Sequence, residues 1–306
     1  MNTIDVQNLS MNFGRFPALS NLSLSVPTGT AMALLGENGA GKTTTLRILA
    51  GIYQASAGGG TVLETPLGAL DTPQFQRLGH VSENQHLPLR WTLQQLIDYL
   101  KPLYPKWDDD FCTELITNFE LPRDRKLGAM SRGMQMKASL VSSLSYRPDL
   151  LLLDEPFSGL DPLVREELID GILELMQGGD WTILLSSHDI NEVERLCDSV
   201  TLIRDGKIDL SESLDSLQGR FRNWTVDQAQ APSDPLPPEW IQIKQLSESS
   251  WTFTDTQYDP ASAPEKIEQL FGSAAITESS SLSLRDIYLK IARQQKKMRL
   301  SQQKSA

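Results

Sequence analysis

The stretch that decides the fold is Gly36-Glu37-Asn38-Gly39-Ala40-Gly41-Lys42-Thr43, which has the spacing G-x-x-x-x-G-K-[ST]. It follows the apolar run Ala31-Met32-Ala33-Leu34-Leu35 and leads into Thr44 to Ala50, which reads as a helix. A loop of this kind, between a buried strand and a helix, lets glycine N–H groups curl around β- and γ-phosphates, while the helix N-terminus adds positive potential. Lys42 is then placed to reach the outer phosphates, and the Thr43 hydroxyl to ligate Mg²⁺. A plain Gly-rich turn would leave Lys42 a solvated charge, but the strand and helix on either side favour the phosphate reading.

Working outward, Leu150 to Leu153 and Thr182-Ile183-Leu184-Leu185-Ser186 are two more apolar runs of buried-strand length. Between them, Leu163 to Met176 carries Leu168, Ile172, Leu175 and Met176 at helical spacing. Strand, helix and strand in succession predict a parallel sheet with right-handed crossovers. From about 90 to 147 the pattern turns helical, with Leu93, Leu96, Ile97 and Leu100 on one helix, Phe111 to Phe119 on a second and Met136 to Tyr146 on a third. This predicts a helical insertion in an α/β core. Val200 to Ile203, Asp205-Gly206 and Lys207-Ile208 read as a hairpin.

The run Leu150 to Leu153 ends in Asp154-Glu155, and the carboxyl end of a parallel strand is where ligands bind. Acidic strand ends are common, so this pair gains meaning only beside the phosphate loop. There, Asp154 is the expected Mg²⁺ carboxylate and Glu155 the expected general base toward water.

Composition bounds the reading. The chain has 306 residues, 40% hydrophobic and 22% charged, with 28 Lys plus Arg against 39 Asp plus Glu and a net charge of −11. That length suits roughly two domains. Residues 1–219 carry 17 basic and 29 acidic side chains, and residues 220–306 carry 11 and 10. A Pro- and Ser-punctuated stretch, Ala231 to Pro238, follows the shift, so a boundary is expected near 219. Such acidity disfavours nucleic acid as a partner. Met1 to Ser10 has neither the basic start nor the apolar stretch of a secretory signal, and no apolar run approaches the ~18 residues of a membrane span. Two cysteines, Cys112 and Cys197, make no disulfide framework, and a reduced compartment is expected. Beyond 219, Trp240, Ile241, Ile243, Trp251 and Phe253 suggest short strands. Ser283 to Asp286 resembles a capping box opening a helix with Leu284, Ile287, Tyr288 and Ile291 on one face. That helix ends in Lys290, Arg293, Lys296, Lys297, Arg299 and Lys304.

Gly36 to Thr44, together with Leu151-Leu-Leu-Asp-Glu-Pro-Phe-Ser-Gly-Leu-Asp-Pro162, resembles the ATP-binding cassette (ABC) family. Met130-Ser131-Arg132-Gly133-Met134 resembles the family's signature loop, Ser186-Ser187-His188-Asp189 its switch histidine, and Phe13-Gly14 the place of its adenine-stacking aromatic. Taken singly, His188 would be a surface histidine, Ser131 a helix cap and Phe13 a core residue; their joint order carries the likeness, which extends over residues 1 to about 215. The resemblance implies a P-loop NTPase: a RecA-like parallel core with an antiparallel β subdomain and a helical subdomain at about 85–147, followed by a small C-terminal α+β domain at 220–306. It implies ATP held by Phe13, Gly36, Asn38, Gly39, Ala40, Gly41, Lys42, Thr43 and Thr44, and Mg²⁺ by Thr43, Asp154 and Glu83. It implies a head-to-tail dimer, of like or unlike subunits, in which Ser131 and Gly133 meet the γ-phosphate on the opposite subunit and Asp161 communicates across the interface. Glu155 and His188 are the implied catalytic pair.

Three positions in two motifs depart from the family pattern. Arg132 and Met134 stand where Leu-Ser-Gly-Gly-Gln has its first glycine and its glutamine. Glu83 stands where a Mg²⁺- and membrane-coupling glutamine is usual, with Gln85 two residues on. Both, with Tyr104-Pro-Lys-Trp-Asp108 and Leu282 to Tyr288, resemble bacterial exporter-type (ABC-2) ATPase subunits. The implied function is an ATPase that gates a separate membrane permease from the cytoplasmic face of the cell membrane, coupled through the helical insertion near Glu83 and Trp91. An importer ATPase, a soluble cassette protein acting on ribosomes or DNA, and a nucleotide-binding regulator without turnover are the alternatives.

Overall fold

The computed structural model describes residues 1–83, 85–177, 181–227, 232, 235–271 and 275–305. Ala231, Ser233 and Asp234 of the Pro- and Ser-punctuated stretch lie outside them, as do the side chains of Leu175, Lys296, Lys297, Arg299 and Lys304. The chain divides into two units, Met1–Ser211 and Glu212–Ala306.

The first unit opens with two long strands, β1 (Asn2–Phe13) and β2 (Phe16–Pro27), before the apolar strand β3 (Ala31–Leu35) and helix α1 (Lys42–Leu49). Then come β4 (Ala57–Val62), β5 (Thr65–Pro66), α2 (Thr72–Phe75) and β6 (Leu78–Ser82). Three insertion helices follow: α3 (Leu93–Leu100), α4 (Asp109–Asn118) and α5 (Arg132–Leu144). The unit continues through β7 (Leu150–Asp154), α6 (Pro162–Gln177), β8 (Thr182–Ser187), α7 (Ile190–Leu196), β9 (Ser199–Arg204) and β10 (Lys207–Ser213).

Two sheets form. One, in the order β2-β1-β4-β5, is antiparallel. The other, in the order β10-β9-β3-β8-β7-β6, has a parallel core from β9 to β6. Its buried residues Leu34, Leu150, Leu152 and Leu184 share one core with Ile4, Leu22 and Leu24 of the antiparallel sheet and with Leu46 and Leu49 of α1. The hairpin β9–β10 turns at Asp205 and Gly206, with φ of 48° and 72°, the two positive angles of a tight type I′ turn. Helix α5 starts at Arg132, four residues before the helical pattern expected from Met136, because Ser131 accepts a hydrogen bond from Met134 N and caps it there. Tyr146 lies beyond its end, with its hydroxyl donating to Leu78 O.

The second unit holds α8 (Leu214–Arg220), β11 (Arg222–Asp227), β12 (Trp240–Ser247), β13 (Ser250–Asp255), α9 (Ala263–Phe271), β14 (Ala275–Ser281) and α10 (Leu284–Ser305). Its antiparallel sheet runs β12-β13-β11-β14. Trp224, Trp240, Phe253, Ile267 and Phe271 form its apolar cluster, with Trp240 stacked on Phe253 at 4.1 Å between ring centroids. Ser283 accepts from Asp286 N at the start of α10.

Leu152 is fully buried at the middle of β7, flanked by β6 and β8. Leu152→Ala should cost about 2–5 kcal/mol in denaturant unfolding; a loss well under ~1 kcal/mol would contradict the central place given to β7.

Candidate functional site

Register builds the site. Leu35 pairs with Ser187, Asp154 with Ser186 and Ser82 with Asp154, so β3, β8, β7 and β6 end within one residue of one another. The residues that follow each strand (Gly36, His188, Glu155 and Glu83) therefore emerge along one edge of the sheet.

At that edge Gly36 N donates to Ser187 O at 3.3 Å, and a Cβ at Gly36 would stand 2.3 Å from the Ile203 carbonyl oxygen, so only glycine allows this approach. Gly41, with φ 111°, turns the loop into α1. Ala40 is buried, its N donating to Glu37 O. Lys42 is 4% exposed, and its Nζ donates to Gly36 O at 2.7 Å and Glu37 O at 3.2 Å. Nζ also stands 3.0 Å from Glu155 Oε1, an ion pair without the direction of a hydrogen bond. The other carboxylate oxygen of Glu155, Oε2, meets His188 Nδ1 at 2.7 Å. Glu155 adopts φ 49°, held by its N–H donating to Ser186 O and Oγ. A left-handed backbone at a non-glycine residue costs of order 1–3 kcal/mol, and such strain concentrates at functional positions.

Asp154 lies behind this layer, 3% exposed, accepting at Oδ1 from Thr43 Oγ1 at 2.9 Å and Ser186 Oγ at 2.8 Å, and at Oδ2 from Ser82 Oγ at 3.5 Å. The adjacent oxygens of Thr43 and Asp154 are hard donors of the kind Mg²⁺ takes. Among the described residues no group of three or more His, Cys, Asp or Glu side chains could hold a metal. The donors present thus fit an ion held largely by phosphate and water, as Mg²⁺ is in nucleotide sites.

A cleft of about 280 Å³ opens here, lined by Phe13, Phe16 and Ala18 on the β1–β2 side. Asn38, Gly39 and Gly41 through Thr44 line it from the loop, with Glu83 and Glu155 at the strand ends. Glu83 N donates to Asp154 O at 2.9 Å, whereas Gln85 lines a different cavity. Ser131, Gly133 and Asp161 do not line the cleft. Ser131 caps α5, a Cβ at Gly133 would lie 2.5 Å from Val164 Cγ1 of α6, and Asp161 Oδ1 accepts from Val164 N.

Sequence reading left several partners unassigned. Ser186 and Ser82 hold Asp154 from the strands on either side, each at the residue in register with it, a relation that the strand pairing supplies and the sequence alone does not. Phe16 pairs with Phe13 across the β1–β2 turn and shares its wall of the cleft. Behind His188, Ser187 Oγ donates to the buried Glu192 carboxylate at 2.5 Å, while Arg165 pairs with Asp189 at 2.9 Å. Burial pushes the Glu192 carboxyl above the usual carboxylate range; Asp189 adds to this, and Ser187 and Arg165 oppose it.

Comparison with known proteins agrees with the fold. A family described as ABC transporter matches residues 19–158. The chain is 31% identical over 225 residues to the ABC transporter ATP-binding protein YtrB of Bacillus subtilis, covering 71% of this chain and 74% of that one. It is 33% identical over 211 residues to a Nod factor export ATP-binding protein I of Burkholderia orbicola, covering 67% and 68%. A solved structure of an ATP-binding subunit of an ABC transporter superposes with a TM-score of 0.64 at 26% identity, covering 71% of this chain and 92% of that one.

The raised Glu192 carboxyl gives a signed pH dependence. Between the ordinary glutamate value and its raised folded value, the folded chain keeps a proton that the unfolded chain has lost, so stability falls as pH rises through that window. Glu192→Gln, which mimics the protonated acid, should raise Tm at pH 8 by about 2–4 °C, and the gain should fade toward pH 4. A lowered Tm at pH 8 would contradict the assignment.

Proposed function

We propose, for a chain that belongs to the ATP-binding subunits of ABC transporters and is an ATPase, that it powers an export system by coupling ATP-driven dimerisation to a separate membrane permease. The observation that carries the mechanism is the Glu155 carboxylate, set between Lys42 Nζ at 3.0 Å and His188 Nδ1 at 2.7 Å. ATP enters the cleft with its base against Phe13 and its phosphates in the Gly36 to Thr44 loop, where Lys42 and the backbone N–H groups grip them. Thr43, Asp154 and Glu83 would hold Mg²⁺, which would supply positive charge against the phosphates. Glu155 takes a proton from the attacking water as general base, and His188 orients Glu155 through the existing Nδ1 contact. Such positioning supplies most of the catalysis in phosphoryl transfer.

The placement of the signature residues supports a dimer. Ser131 and Gly133 stand at the N-terminus of α5, outside their own cleft, and meet the γ-phosphate bound by another subunit, like or unlike. Asp161, at the start of α6, links the two sites. ATP bound between subunits favours the closed dimer, and hydrolysis releases it.

No helix among the described residues is long and apolar enough to cross a membrane. The likeness to ABC transporter ATP-binding proteins supports a permease on a separate chain, with this subunit on the inner face of the membrane. A groove of about 410 Å³ between the core and the insertion helices, lined by Ile52, Phe75, His80, Leu87, Leu96 and Tyr104, supports docking there. Ile52 and Phe75 are 55% and 42% exposed. The likeness to a Nod factor export protein, with Glu83, Arg132 and Met134 at the divergent positions, favours export over import. The unit Met1–Ser211 carries this activity and Glu212–Ala306 forms an accessory domain; the division falls before helix α8 (Leu214–Arg220), ahead of the boundary expected near 219.

Glu155→Gln should retain ATP binding, accumulate an ATP-bound dimer on gel filtration and lower turnover by about 10²-fold or more. Brisk steady-state hydrolysis by this variant would remove Glu155 from the role of base.

A further inference from the structure

Arg132 has no part in the mechanism above, yet its side chain meets two loops of the site. It is the first helical residue after the Ser131 cap. Its Nη2 donates to Glu83 Oε1 at 2.5 Å. Its guanidinium also lies flush against Gly159, in the loop between Glu155 and Asp161: a Cβ on Gly159 would stand 2.5 Å from Nη1 and 2.8 Å from Cζ. Gly159 has φ 66°, so any other residue there would be strained and would displace the guanidinium. Glu83, in turn, is tied to the site by its N–H to Asp154 O and by a carboxylate that lines the cleft.

Resting on the ATPase reading, we infer that Arg132 is a positioning residue for hydrolysis, acting through Glu83. It holds the Glu83 carboxylate at the cleft edge and keys the loop leading to Asp161 to the start of α5. The side chains of Arg132 and Glu83 are 50% and 28% exposed, and a pair so wetted adds little to stability. Its effect is geometric, and small misplacements near reacting groups lower rates steeply. A glycine at 132 would make neither contact. A lysine would restore the charge without the flat fork that rests on Gly159 while bonding Glu83.

The consequence is a change in kcat with little change in nucleotide affinity, since the phosphate loop does the gripping. The test is a substitution cycle in the full chain: Arg132→Gln, Glu83→Gln and the double variant, with kcat and KM for ATP measured for each. Each single substitution should lower kcat roughly fivefold, with KM moving less than about twofold. The double variant should be no slower than the slower single. Gly159→Ala should slow turnover similarly and add nothing to Arg132→Gln, and Arg132→Lys should recover part of the rate. Effects that multiply, or an unchanged kcat in Arg132→Gln, overturn the inference. Thermal melts accompany each variant, and if Arg132→Gln loses its folding transition the cycle is run with Arg132→Lys. Wild-type chain that releases no phosphate would contradict the ATPase reading instead. The inference, which rests on that reading, then falls with it, whereas an unchanged kcat in Arg132→Gln beside an active wild type overturns the inference alone.

Discussion

Asp154 is buried at the end of β7, and burying a carboxylate is costly unless its oxygens are hydrogen-bonded. Thr43, Ser186 and Ser82 meet that need from α1, β8 and β6. One buried group therefore ties the helix after the phosphate loop to two neighbouring strands. Because the strands are parallel and in register, the same junction levels Gly36, Glu83, Glu155 and His188 along one edge. A one-residue slip of β7 would turn Asp154 to the opposite face of the sheet and carry Glu155 away from Lys42.

Much of this core was legible. Ala31 to Leu35 and Leu150 to Leu153 are continuous apolar runs, the pattern of strands buried on both faces, and the glycine spacing marked the loop between β3 and α1. The antiparallel sheet was legible only through family resemblance. Its strand β4, Ala57-Gly58-Gly59-Gly60-Thr61-Val62, has a composition that disfavours strands, yet Gly60 at φ 139° brings its backbone against the Asp5 carbonyl, where a Cβ would lie 2.1 Å away. The start of α5 was hidden for a related reason: the apolar pattern begins at Met136, but the helix begins where Ser131 can cap it.

The site was legible residue by residue and less so in its contacts. The Lys42 position follows from the glycine spacing, Asp154 and Glu155 from an acidic strand end beside that loop, and His188 from family resemblance, whereas the hydroxyls of Ser82 and Ser186 gain meaning only from cross-strand register. The Arg132–Glu83–Gly159 contact lay further out of reach, since it joins three loops distant in sequence. At two of those loops the chain departs from the usual family residues, and two of the departures, Arg132 and Glu83, touch each other.

This edge grips the phosphates of ATP and hydrolyses it, with Lys42 as the group both tasks need. Steady-state phosphate release by the full chain with Mg²⁺–ATP, compared with a folded Lys42→Ala variant, tests this most directly. The wild-type chain should turn over ATP, and the variant should lose about 10²-fold or more of that rate. Equal rates from the two proteins would contradict it.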